Sequence, residues 1–145
     1  MATRDVLADT SALYAFVDKN DANHAAARDA VARILNAGRL IVATDYLIAE
    51  AVNLAKARGG AAVALRVFDL VEQSARIRVE WIGVGRFETA KTFFRKYADH
   101  RYSFTDCTSF VLMRELRLTE ALTTDHHFVE AGFRALLPVV CHARP

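Results

Sequence analysis

Proline, glycine and cysteine are all scarce in this chain, which has 2 prolines, 6 glycines and 2 cysteines among 145 residues. Both prolines, Pro138 and Pro145, lie near the C-terminus, so residues that break helices are rare elsewhere and helices are expected to dominate. The two cysteines, Cys107 and Cys141, lack the spacing of a metal-binding motif. They indicate a reducing compartment, with each thiol acting as a small buried apolar group.

Long apolar runs and a strong charge excess are also lacking. No segment reaches the roughly 18 apolar residues that a membrane span needs, and the N-terminus shows no signal-peptide pattern. We therefore expect a cytoplasmic protein with no membrane partner. The formal net charge of +2 permits a nucleic-acid partner but does not by itself argue for one.

What the chain does have is apolar residues (53%) and charged residues (25%) in the proportions of a globular protein. Its length fits one domain, residues 1–145. Short apolar runs predict strands at 6–8, 40–43, 77–82, 121–124 and 136–140. Helical spacing predicts helices at 21–37, 44–58, 87–97 and 103–116, and a further helix after Gly59 and Gly60. This alternation predicts an α/β fold with three layers, α/β/α, around a mostly parallel sheet of four to five strands.

Two acids stand where predicted strands end. Asp9 follows the first strand and Asp125 follows the fourth, and ligands of open parallel sheets bind at this edge. Each acid also precedes a helix, so a helix cap is an alternative interpretation for either residue.

Two further acids lie within predicted helices. Asp106 shares a helix face with Phe110 and Met113, which is expected to point to the core. A capping box with Ser103 is the alternative interpretation of Asp106. Glu50 lies at the edge of an apolar stripe, where a solvated flank is the alternative.

Together these four carboxylates suggest one site at the sheet edge. Carboxylates that converge repel one another and take up protons unless a cation neutralises them. Mg²⁺ or Mn²⁺ suits such oxygen ligands, and a metal site of this kind fits phosphodiester hydrolysis.

Four segments, in order, resemble the motifs of PIN-domain nucleases. They contain Asp9-Thr10-Ser11, Glu50 at the end of residues 44–50, Ser103 to Cys107 around Asp106, and residues 122–128 around Asp125. The match spans nearly the whole chain, and the small size is most similar to the VapC toxins of bacterial toxin–antitoxin pairs.

The resemblance implies an endoribonuclease that depends on Mg²⁺ or Mn²⁺ and cuts cellular RNA. It also implies a homodimer that a cognate antitoxin holds inactive. Asp9 and Asp106 match the principal metal ligands, Asp125 the acid that completes the site, and Glu50 an acid that binds metal or orients water. Ser11 and Thr123 match supporting polar positions that orient these groups, with helix capping and strand-end hydrogen bonding as the alternative.

Several other polar residues lie near these motifs. His126 and His127 follow the last acid and are interpreted as polar first-turn residues beside the site, because a site for a hard metal does not need imidazole. Arg95, Lys96 and Arg101 could contact phosphate, but such charges also occur on any solvated face.

Two other functions remain as alternatives. A phosphotransferase using Asp9 as nucleophile fits poorly, because related phosphatases place a second Asp two residues later, where this chain has Ser11. A catalytically silent PIN-like module that binds RNA or protein would be expected to lose acids, whereas all four are present here.

Overall fold

The computed structural model describes residues 4–140 and contains five strands and seven helices in that range. The strands are β1 (Val6–Ala8), β2 (Ile41–Thr44), β3 (Ile77–Glu80), β4 (Glu120–Leu122) and β5 (Arg134–Ala135). The helices are α1 (Thr10–Val17), α2 (His24–Asn36), α3 (Asp45–Gly59), α4 (Ala61–Gln73), α5 (Gly83–Lys96), α6 (Phe104–Leu116) and α7 (His126–Glu130).

The strands form one parallel sheet in the order β3-β2-β1-β4-β5. The central strand β1 is buried along its whole length, as expected for a parallel strand covered on both faces. Its pairing with β4 sets Ala8 opposite Leu122. The chain segments that follow these two strands therefore begin side by side at one edge of the sheet.

Helices α1 to α4 pack on one another, and α5 packs on α6 in a separate group. Helix α6 is buried at every position from Cys107 to Met113, because it packs between other elements rather than lying on the surface. The predicted burial of Cys107 is confirmed, whereas Cys141 lies outside the described residues. The predicted three-layer α/β/α fold with a parallel sheet is confirmed.

The predicted last strand, 136–140, is wrong in position. Strand β5 is formed by Arg134 and Ala135, because the turn at Gly132 (φ 100°) brings Arg134 beside the start of β4. Pro138 has no N–H to donate to a ladder. Beyond β5, the backbone N–H of Leu136 donates to Ala121 O at 2.9 Å, and Val140 forms an isolated parallel bridge to Asp125.

Other boundaries shift by a few residues. The third strand ends at Glu80 rather than 82, because Ile82 already has helical backbone angles. Helix α5 follows directly and begins at Gly83, four residues before the predicted start at 87. Helix α2 begins at His24 rather than 21. Helix α1, which had no predicted extent, is buried at Ala12 to Ala15 and so lacks the one-sided periodicity that reveals a surface helix.

Within residues 4–140, none of the helices combines the length and apolar character needed to cross a membrane.

Candidate active site

Asp9 lies directly after β1, at the position preceding α1, yet its side chain accepts no capping hydrogen bond from that helix. Its Oδ2 atom instead accepts hydrogen bonds from Thr123 Oγ1 at 2.8 Å and Ser11 Oγ at 3.4 Å. The residue is only 7% exposed. The cap interpretation therefore fails for the Asp9 carboxylate, which faces the end of the neighbouring strand.

Ser11 and Thr123 tie the ends of β1 and β4 together. The Thr123 hydroxyl donates to Asp9 and also accepts from the backbone N–H of Asp125 at 2.9 Å. The Ser11 hydroxyl accepts from the backbone N–H of Thr124 at 3.2 Å. Both side chains thus orient an acid or the loop that carries one.

For Asp125 and Asp106, a capping role and a place in the cluster of acids coexist. Asp125 Oδ1 accepts from the backbone N–H of His127 at 2.9 Å and so caps α7. Asp106 and Ser103 form the predicted capping box, with hydrogen bonds of 3.0 and 3.1 Å. These bonds fix both carboxylates at helix N-termini.

His127 lies between these two acids. Its Nδ1 is 3.4 Å from Asp106 Oδ2 and 3.2 Å from Asp125 Oδ1. The first-turn position predicted for His126 and His127 is confirmed, since α7 begins at His126. The close approach of His127 to two carboxylates was not predicted, because it depends on how α6 and α7 pack.

Glu50 stands at the rim rather than in the interior. It is exposed on α3, and its Oε1 accepts a hydrogen bond from Thr10 Oγ1 at 3.4 Å. The alternative interpretation of Glu50, as a residue on a solvated flank of its helix, therefore agrees with its exposure. The side chain nevertheless lines the same cleft as Asp9, Asp106 and Asp125.

Burial and the charges of neighbouring acids disfavour the ionised forms of Asp9 and Asp106. Burial raises the pKa of Asp9 to about 7, the charges of Asp106 and Asp125 raise it further, and the hydrogen bond from Thr123 opposes this shift. Burial also raises the pKa of Asp106, with Asp125 contributing, against the hydrogen bonds from Ser103. A bound cation would reverse this penalty. A group of oxygen donors of this kind fits Mg²⁺ or Mn²⁺.

The cleft also contains residues that the sequence did not single out. Its lining comprises the four acids with Thr10, Ser11, Tyr14, Asp21, Asn23, Leu54, Arg58, Arg101, Ser103, Thr124 and His127. Arg101 is one of the three cations considered for phosphate contact, whereas Arg95 and Lys96 are exposed on α5 and do not line the cleft. Arg58, at the end of α3, extends over the ring of Tyr14.

Known proteins of one family are similar to this chain in sequence and fold. The family model of the PIN domain matches residues 6–134. The 23S rRNA-specific endonuclease VapC20 of Mycobacterium tuberculosis (strain CDC 1551 / Oshkosh) is 30% identical over 135 residues, covering 92% of this chain and 98% of that protein. Ribonuclease VapC26 of M. tuberculosis (strain ATCC 25618 / H37Rv) is 29% identical over 134 residues, covering 92% and 93%.

A solved structure has the same fold. The crystal structure of M. tuberculosis VapC20, described as a Sarcin-Ricin loop cleaving toxin, matches with a TM-score of 0.81 at 26% identity. The match covers 92% of this chain and all of that chain (100%). The resemblance seen in the four sequence motifs is thereby confirmed. The chain belongs to the PIN domain family and is homologous to the VapC ribonucleases.

Proposed function

We propose that this protein is a metal-dependent endoribonuclease and the toxin of a toxin–antitoxin pair. The observation that carries the proposal is that Asp9, Glu50, Asp106 and Asp125 line one cleft in a chain homologous to named ribonucleases. The acids come from four different parts of the sequence. Local helix capping does not account for their meeting in one place.

Asp9, Asp106 and Asp125 are the residues that would hold Mg²⁺ or Mn²⁺, with Glu50 completing the site at the rim. A bound ion would supply activation of water and offset the negative charge that develops on the phosphate. The raised pKa values of Asp9 and Asp106 support this assignment, because a cation favours their ionised forms.

Residues in and beside the cleft have positioning roles in this proposal. The hydroxyls of Thr123 and Ser11 hold the Asp9 carboxylate, and Ser103 holds Asp106. Arg58 and Arg101 are the two cations that line the cleft, among the residues the structure describes. They provide positive charge that binds phosphates of the RNA backbone.

The relatives indicate which substrate and partners to test first. The names of VapC20 give 23S rRNA and its sarcin–ricin loop as targets, so we propose ribosomal RNA, cut in the cytoplasm, as the first candidate substrate. We further propose a homodimer and a cognate antitoxin. Trp81 and Val84, which are 71% and 81% exposed, offer apolar surface of the kind that protein interfaces bury.

A metal-titrated cleavage assay on total cellular RNA tests the proposal, with sequencing of the new 5′ ends to locate the cuts. Wild type is expected to cleave only with Mg²⁺ or Mn²⁺. Asp9→Asn and Asp106→Asn are each expected to lose more than about 100-fold, since even outer-shell partners of a metal contribute about 10–100-fold.

Arg95→Ala, a change on an exposed helix surface outside the cleft, is the matched control and should cleave like wild type. Cleavage without added metal, or equal cleavage by wild type and both Asp variants, would contradict the proposal. RNA binding without any cleavage would favour the silent PIN-like module.

A further inference from the structure

Three side chains at the start of α7 bring carboxylate and imidazole donors together. Asp125, His126 and His127 each have one potential metal-ligating atom, a carboxylate oxygen or a ring nitrogen, that lies within 4.8 Å of the corresponding atoms of the other two. These side chains are partly buried, at 28%, 31% and 16% exposure. They form a mixed oxygen and nitrogen donor group, unlike the all-carboxylate group proposed above.

The distances from Asp125 to the two histidines are close to those between ligands of a tetrahedral metal site. Two ligands that lie about 2.0–2.1 Å from a Zn²⁺ ion in tetrahedral geometry are about 3.3–3.4 Å apart. Asp125 Oδ1 is 3.2 Å from His127 Nδ1 and 3.7 Å from His126 Nδ1. Asp106 Oδ2 also lies 3.4 Å from His127 Nδ1.

His126 supplies an independent observation. Its Nδ1 atom is buried and forms no hydrogen bond within the described part of the chain. A buried polar atom without a partner is costly and calls for an explanation such as an ion. His100 offers a contrast, because its Nδ1 already has a partner in Glu130 Oε1 at 3.0 Å.

We propose that Asp125, His126 and His127 bind a borderline divalent cation, of which Zn²⁺ is the representative, at a site distinct in ligand chemistry from the Mg²⁺ or Mn²⁺ site. Imidazole suits Zn²⁺, whereas Mg²⁺ requires oxygen ligands and retains its waters. The two histidines therefore give this site its preference for Zn²⁺.

The two sites share Asp125, so the two ions compete for its carboxylate. Zn²⁺ at this site is expected to inhibit cleavage that depends on Mg²⁺. This consequence rests on the proposed ribonuclease activity, whereas Zn²⁺ binding itself does not. Binding is therefore measured on the full-length protein without RNA, by competition with a chromophoric zinc chelator.

Wild type is expected to bind one equivalent of Zn²⁺. His126→Gln and His127→Gln should each bind it at least about tenfold more weakly. His100→Gln is the matched control, because it removes a histidine that pairs with Glu130 outside the proposed site, and it should leave the affinity unchanged. Cys141→Ser controls for a thiol ligand and should also bind like wild type.

The proposal is overturned if wild type has no one-to-one site, if His126→Gln binds like wild type, or if His100→Gln or Cys141→Ser loses as much. Circular dichroism checks that each variant is folded, and if His127→Gln is not, the binding result for His126→Gln decides alone.

In a cleavage assay with Mg²⁺, His126→Gln should keep its activity and need at least about tenfold more Zn²⁺ for inhibition. If His126→Gln and wild type are equally sensitive to Zn²⁺, the two ions do not compete for the carboxylate of Asp125.

Discussion

The hydroxyl of Thr123 makes two hydrogen bonds at once. It donates to Asp9, which is 114 residues away in sequence, and accepts from the backbone N–H of Asp125. A valine has nearly the same shape but neither donates nor accepts a hydrogen bond. Thr123→Val therefore isolates the hydroxyl from the packing around it.

Thr123→Val is expected to lower the free energy of unfolding by about 1–3 kcal/mol, because it leaves buried polar groups unpaired. It should also lower cleavage by about 10–100-fold, the range for groups that orient metal ligands. Thermal unfolding and the cleavage assay measure the two effects. The control is Thr108→Val, a change at another buried threonine, whose hydroxyl donates to Thr105 O; this variant should retain its activity. Equal activity losses in both variants would assign Thr123 a purely structural role.

The raised pKa of Asp9 makes the stability of the metal-free protein depend on pH. Because the pKa is about 7 in the folded protein and near 3.8 when unfolded, the folded state binds more protons between these values. Stability is therefore highest at low pH in this window and falls as the pH rises towards about 7, by at most about 1.4 kcal/mol per pH unit.

Asp9→Asn removes the titrating carboxyl, so the stability of this variant should fall less steeply with pH than the stability of wild type. The pH dependence that remains is assigned to Asp106, whose pKa is also raised. Chemical denaturation in the presence of a metal chelator, between about pH 5 and pH 7, measures it. Mg²⁺ should restore wild-type stability at the upper end of the window and affect Asp9→Asn less. If the free energy of unfolding of wild type rises with pH in this window while that of Asp9→Asn does not, the pKa of Asp9 is not raised in the folded protein.

At the scale of elements, the N-terminus of α6 serves stability and the site at once. Its capping box stabilises the helix and also fixes Asp106, so the two interpretations of this acid were never exclusive. Ser103→Ala should lower the free energy of unfolding by about 1 kcal/mol. It should also reduce cleavage, because the backbone N–H of Asp106 loses its acceptor, Ser103 Oγ, and the first turn of α6 that carries the Asp106 carboxylate is then held less firmly.

Ser103→Asn is the matched variant, because asparagine is an equally good helix cap. It should restore stability and most of the cleavage, measured by thermal unfolding and by initial rates. If Ser103→Ala destabilises the protein but cleaves at the wild-type rate, the box stabilises α6 without positioning Asp106.

The sequence predicts those elements whose apolar pattern is one-sided or bounded by turn residues. Helix α3 is an example, since it ends at Gly59 beside Gly60, close to the predicted end. Helix α1 has no polar face, and β5 consists of Arg134 and Ala135, which carry no strand pattern. Both depend on tertiary pairing, which local periodicity does not encode.

The same limit applies to the candidate site. Carboxylates at strand ends are visible in the sequence, because the end of an apolar run marks the edge of the sheet where Asp9 and Asp125 lie. Arg58 reaches the cleft from the last turn of α3, and His127 reaches Asp106 through the packing of α7 on α6. No spacing rule connects these residues, so only the structure identifies them.

At the scale of the whole molecule, a net charge of +2 provides little general attraction for RNA. Binding must instead depend on where the positive charges lie. Arg58 and Arg101 line the cleft beside four acids, whereas Arg95 is exposed on α5 outside it. These residues allow local and general electrostatic attraction to be separated.

Arg58→Ala and Arg101→Ala should each weaken RNA binding and lower the slope of log affinity against log salt by about 0.7–0.9, the value for one lost phosphate contact. Fluorescence anisotropy with a labelled rRNA fragment measures this, in an Asp9→Asn background that prevents cleavage. Arg95→Ala removes the same charge outside the cleft and should leave the slope unchanged. If all three variants reduce the slope equally, RNA responds to overall charge, and the cleft cations do not position it.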